Sequence, residues 1–197
     1  MKFRRTAALA LFVLVSLSAH SSVTKKQVEG DVRELYSNSV RARTEAADRL
    51  VAAGPTAIPL LLPVVCDQSE PNFDRVWPAA AKVLGELKAQ AATRCLVPLL
   101  LYRYPSIGPV IMKSDKTLTD VDPAFAALVQ IGEPAVPEIR QHLSFLPPEA
   151  AIAALRVLRL INTPSAKEAA QSYIKVLEDQ TNFAKQVLGD FGESLPQ

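Results

Sequence analysis

The chain has 197 residues, 22 Lys and Arg against 20 Asp and Glu, and apolar types make up 49% of it. That length suits one domain with a continuous core, and the apolar fraction, with only 7 Gly, suits a packed helical protein and excludes a disordered one. The near balance of charge lacks the basic excess that nucleic-acid binding requires, so no nucleic-acid partner is expected.

Residues 1–21 read as a secretory signal. Lys2, Arg4 and Arg5 form a basic start, AALALFVLVSLSA supplies an apolar run, and Ala19-His20-Ser21 is a small-x-small cleavage site. The apolar run is about a dozen residues, short of the roughly 20 that span a bilayer, so no stable membrane span is expected after cleavage near Ser21. Cleavage removes three of the 22 basic residues and none of the 20 acidic ones, leaving 19 against 20. The mature domain is then 22–197, exported to the periplasm or the medium.

Residues 25–38 place Val28, Val32, Leu35 and Tyr36 on one helical face and serve as an end cap. A skeleton of small and large apolar residues then recurs four times. It runs Ala46, Leu50, Ala57, Leu61, Val65, then Ala80, Leu84, Ala92, Leu96, Leu100. It returns as Ala124, Leu128, Ala135, Ile139, Leu143, and as Ala154, Leu158, Ala166, Ala170, Ile174. Steps of four put residues on one helix face, so each unit is helix, turn, helix. The breaks Gly54-Pro55-Thr56, Gly132-Glu133-Pro134 and Asn162-Thr163-Pro164 carry the matching chemistry: Gly or Asn ends a helix, and Pro fits the first turn of the next. Pro78 falls inside a helix and is the proline placed to bend one.

The segments LVAAGPTAIPLLLPVV, VLGELKAQAATRCLVPLL, LVQIGEPAVPEIRQHL and VLRLINTPSAKEAAQSYI resemble HEAT repeats, especially the short bacterial kind found in bilin-lyase-like chains. Arg41 and Arg75 stand five residues before the first Ala of their units, where that family often has arginine; Thr119 and Glu149 take the place in units three and four. The resemblance implies an all-α fold, a short right-handed α-solenoid of about four repeats over residues 39–67, 72–102, 121–146 and 148–178. A second cap covers 180–191, built on Phe183, Val187 and Leu188. A repeat fold supplies architecture rather than chemistry.

Unit starts are spaced by 34, 44 and 30 residues, and the excess falls in an insertion at 103–120. This segment breaks the helical period and concentrates large apolar and basic side chains where a turn would suffice. Insertions between repeats often lie on a binding face, so Tyr102, Arg103, Tyr104, Ile107, Ile111 and Met112 are the candidate partner-binding residues, with another protein as the partner. The alternative is that the loop packs back on its own helices.

Catalytic and metal chemistry find little support. The mature chain has one histidine, His142, and Cys95 is the only nucleophile that pairs with it on paper. Cys66 and Cys95 fall short of a zinc signature. Aligned along neighbouring helices they are offset by six residues, about 9 Å, with helix axes about 8–10 Å apart, so they are expected to be unbridged and buried. There is no phosphate-binding glycine loop, and no cofactor is expected. Arg156 and Arg159, with Arg140 nearby, form either an anion-binding patch or a charged outer face. The sequence thus points to a non-enzymatic protein-protein interaction scaffold or adaptor, with a structural or self-associating module as the alternative and an enzyme of unknown class as a further one. The intact mass of the exported protein is expected to lack residues 1–21; a membrane-bound product retaining them refutes the leader.

Overall fold

The computed structural model describes residues 23–102 and 114–190, and every regular element among them is a helix. The expected leader at 1–21 and residues 103–113 of the insertion lie outside the described residues. The helices are α1 (Lys25–Glu34), α2 (Val40–Ala53), α3 (Ile58–Cys66), α4 (Phe73–Glu86), α5 (Thr93–Leu96), α6 (Asp115–Val121), α7 (Pro123–Ile131), α8 (Val136–His142), α9 (Pro148–Ile161) and α10 (Pro164–Asp190).

Helix α1 starts at a capping box. The Thr24 side chain accepts from the Gln27 amide at 3.3 Å, and Gln27 Oε1 accepts from the Thr24 amide at 2.8 Å. Val28 and Leu35 are buried beneath it and Val32 and Tyr36 pack at the edge, as the cap pattern requires. The breaks between paired helices fall at left-handed residues: Gly54 (φ 70°), Gly132 (φ 77°) and Asn162 (φ 55°). In the second unit Lys88 (φ 51°) takes this role, without a glycine to announce it. Helix α4 continues through Pro78 to Glu86. Val40–Cys66 contains a stretch long and apolar enough to cross a membrane, but Gly54 divides it into α2 and α3, and Leu50, Leu61 and Val65 along it are fully buried.

First helices pack on first helices, α2 on α4, α4 on α7 and α7 on α9, while α3, α5, α8 and α10 form a second row in the same order. All skeleton residues of the four units are buried except Ala170 and Ile174. Each large one buried contributes roughly 1.5–3 kcal/mol. The tightest approach is α4 on α7. A Cβ on Gly85 would stand 2.7 Å from Ala127 Cα and 3.0 Å from Ala127 Cβ, so only hydrogen fits.

Junctions between units are fixed by polar contacts. Arg49 Nε donates to Asp31 Oδ1 at 2.6 Å, tying α2 to the cap. Arg75 donates to Asn38 and Asn72, whereas Arg41 is exposed and pairs with Glu45 of its own helix at 2.7 Å. The buried Asp122 joins units two and three. Its Oδ2 accepts from the Leu101 amide at 2.7 Å, and its Oδ1 accepts from Ala124 and Phe125 at 3.0 and 3.1 Å, capping α7. Burial raises the pKa of this carboxyl above its ordinary value, against the opposing pull of the three amides.

Three departures from the sequence expectation concern geometry. First, Cys66 and Cys95 form a disulfide with their Cα atoms 5.0 Å apart, and neither is buried. The expected offset presumed two uninterrupted α-helices. Residues 90–99 instead run as 3₁₀ turn, one α turn, 3₁₀ turn, with a different rise from α3. Moreover, axes 8–10 Å apart leave facing Cα atoms only about 3.4–5.4 Å apart once two backbone radii of about 2.3 Å are subtracted. Second, the later part of the insertion is helical: Asp115–Val121 forms α6, capped by Ser114 accepting from the Thr117 amide at 3.1 Å. Third, α10 runs unbroken through Asp179 and Gln180, where repeat four was expected to end and a separate cap to begin. Phe183 is exposed rather than forming the centre of such a cap.

Two measurements check these contacts. Gly85→Ala should lower stability by up to about 2 kcal/mol in denaturant melts, because overpacking (~1–3 kcal/mol) outweighs the helix-propensity gain of about 1 kcal/mol; a stabilised variant would show the α4–α7 approach to be looser than described. The disulfide closes a loop of 29 residues in sequence separation, for which chain entropy gives about 3–4 kcal/mol. Thiol counting on denatured, unreduced protein should find no free thiol, and Cys66→Ser with Cys95→Ser should cost about 2–4 kcal/mol.

Candidate protein-binding surface

In the first three units the fifth skeleton residue, Val65, Leu100 or Leu143, is buried. Its equivalent in the fourth, Ile174, is 46% exposed, and no helix among the described residues covers it. Its neighbours share that exposure. Val176, Leu177 and Phe183 are exposed, and every described side chain of α10 from Ile174 to Gln186 faces solvent. Helix α9 ends at Ile161 after 14 residues, whereas α10 has 27. At 1.5 Å per residue, the part of α10 beyond Tyr173 projects about 25 Å.

Below this projection, α9 and α10 enclose a groove of about 350 Å³. Leu155, Leu158, Ala166, Ala170 and Ile174 supply its apolar walls, and Arg159 and Lys167 stand beside them. The groove lies at the turn where Asn162 takes a left-handed conformation, and the small residues Ala166 and Ala170 line it. Its cations differ in availability. Arg159 is bound to Asp115, which also lies 3.6 Å from Arg156, whereas Lys167 has no carboxylate partner among the described residues. Arg140, the third member of the anion patch weighed from sequence, pairs with Glu168 at 3.2 Å. These arginines fasten α6 to α9 and α8 to α10, so they do not form an open anion site.

A second, more polar groove of about 550 Å³ crosses the turns of units two to four, lined by Gln90, Glu133, Pro134, Pro137, Arg140 and Ser165. Hydrogen bonds from Ser165 and then Thr163 hold the Glu133 carboxyl below its ordinary pKa, so it stays ionised and tied to α10.

Of the six candidate partner-binding residues, Tyr102 alone is among the described ones. It is 40% exposed and packs edge-on against Phe73 and Trp77, at centroid distances of 5.8 and 6.3 Å. This anchors it to α4 of its own chain. Arg103, Tyr104, Ile107, Ile111 and Met112 lie outside the described residues. His142 Nδ1 sits 3.0 Å from the Glu138 carbonyl oxygen one turn earlier, and Cys95 is held in the disulfide, so the two form no nucleophile–base pair. Among the described residues no group of three His, Cys, Asp or Glu is placed to hold a metal ion. Sequence reasoning missed the exposed face of α10. The available signal was the absence of any Gly or Pro between Pro164 and Gly189, which leaves nothing to stop the helix at Asp179.

No protein-family model, curated protein or solved structure matches the chain.

Proposed function

We propose that this protein is an exported protein-binding adaptor, a right-handed α-solenoid of four HEAT-like repeats that acts without catalysis. The observation that carries this reading is the uncovered skeleton position at Ile174, at the mouth of an apolar groove on the last helical pair. Packing of first helices on first helices and second on second supports the repeat architecture. The disulfide supports export, since such bonds persist in oxidising compartments. A helix lying along α9 and α10 would cover Leu155, Ala170 and Ile174 as a fifth repeat would, and Lys167 favours an acidic side chain on it.

The test compares wild type, Ile174→Asp and Leu155→Asp as tagged exported proteins recovered with their bound proteins from envelope and culture fluid. Ile174→Asp changes an exposed residue, so stability should move by no more than about 0.5 kcal/mol. Recovery of a specific partner should fall about tenfold or more, as expected for a contact at an interface centre. Capture unchanged by both substitutions refutes this groove as the binding surface.

A further inference from the structure

The exposed part of α10 has a helical register that points to its occupant. With Ala170 and Leu177 at successive core positions of a seven-residue repeat, Tyr173 and Gln180 fall at the second core position. Ile174 and Val176 flank the seam, as do Thr181 and Phe183. The charged residues between Ala170 and Gln186 are Lys175, Glu178, Asp179 and Lys185, and all four occupy outward positions. They sum to zero, so two such helices meet without net repulsion. The seam is interrupted once, at Gln180 and Thr181.

We propose that a second copy of this chain covers this face, its α10 antiparallel to the first about a two-fold axis level with Glu178 and Asp179. The proposal rests on the reading of the α9–α10 end as a protein-binding surface. In this register Tyr173 of each copy meets Ala184 of the other, large against small, which is the complementarity a packed seam requires. Val176 lies beside Phe183 of the second copy, placing the most exposed aromatic of the helix against an aliphatic neighbour. Leu177 stands level with Gln180, so the polar interruption sits near the centre, where a polar residue fixes register. The apolar stripe spans core and flanking positions and is wider than a simple two-helix seam needs. A second copy matches that width because its own groove adjoins its α10. The helix itself also needs a partner: about 17 projecting residues containing Val, Thr, Asn and Gly are marginal as an isolated helix in water.

The exported full chain should run as a dimer by size-exclusion chromatography with light scattering, dissociating on dilution. Leu177→Glu and Phe183→Glu should each raise the dimer Kd about tenfold or more. Phe183 is 68% exposed, so its variant should keep the wild-type helical circular dichroism and melting temperature. A mixture of the Val176→Cys and Phe183→Cys proteins should form an inter-chain disulfide on oxidation that neither forms alone. A monomer at every concentration overturns the proposal while leaving Ile174-dependent capture of another protein to stand. A dimer indifferent to both glutamates overturns it by placing the interface elsewhere, and cross-linking of Phe183→Cys with itself overturns the antiparallel register. Dimerisation lost on Leu177→Glu, with capture of other proteins unchanged by Ile174→Asp, supports the second copy and removes the adaptor reading.

Discussion

Contact between α4 and α7 is the constraint on which the remaining packing depends. Gly85 lies against the Ala127 backbone, with Ala80 and Ala81 buried on one helix and Ala124 on the other. Small residues let the axes approach closely, and the large side chains are set to either side of the crossing. Trp77 and Leu84 fill the α4 side, and Phe125 and Leu128 the α7 side. Most of the contact between the first two units and the third runs through α4 and α7, with α5 adding to it, and the last unit packs on α7 and α8. An added methyl group at the crossing would therefore misplace two half-cores together.

The connections on either side of that contact are made by different chemistry. A disulfide holds unit one to unit two in the second row, where α5 provides only one turn of α-helix. Units two and three are joined by the Asp122 carboxylate, which serves Leu101 on one side and the start of α7 on the other. Leu101 has φ 57°, a conformation costly for a branched side chain, and the buried hydrogen bond to its amide holds it there. Units three and four are tied by exposed pairs such as Arg140–Glu168, contacts of a kind worth at most about 1 kcal/mol. The polar fastening thus weakens toward the C-terminal end, where the apolar face lies open.

Much of the fold was legible in the sequence because burial follows helical spacing. The skeleton from Ala46 to Ala166 is buried as the period demands, and Gly54, Gly132 and Asn162 turn the chain where their backbone freedom suggested. The disulfide was not legible because it depends on the path of residues 90–99, where 3₁₀ turns and a left-handed Lys88 replace a regular helix without any sequence mark. The roles of Arg156 and Arg159 were illegible for a related reason: their partner, Asp115, is more than 40 residues away in the chain and comes from the insertion. The candidate surface was half legible. The amphipathic period of α10 is plain, but what covers its apolar side depends on where the repeats stop.

The two ends of the helical stack are unlike, and this limits the assemblies the chain can form. Its N-terminal end is sealed by α1, which buries Val28 and Leu35 inward and turns Lys25, Lys26 and Arg33 outward. Its C-terminal end exposes an apolar face. Head-to-tail stacking, the route by which asymmetric contacts propagate into open filaments, needs two mutually adhesive ends. Here a polar cap would have to meet an apolar groove, so that route is disfavoured. Among the described residues, an association through the apolar end covers the face at that end and leaves the polar cap outward, which favours a closed complex of fixed size.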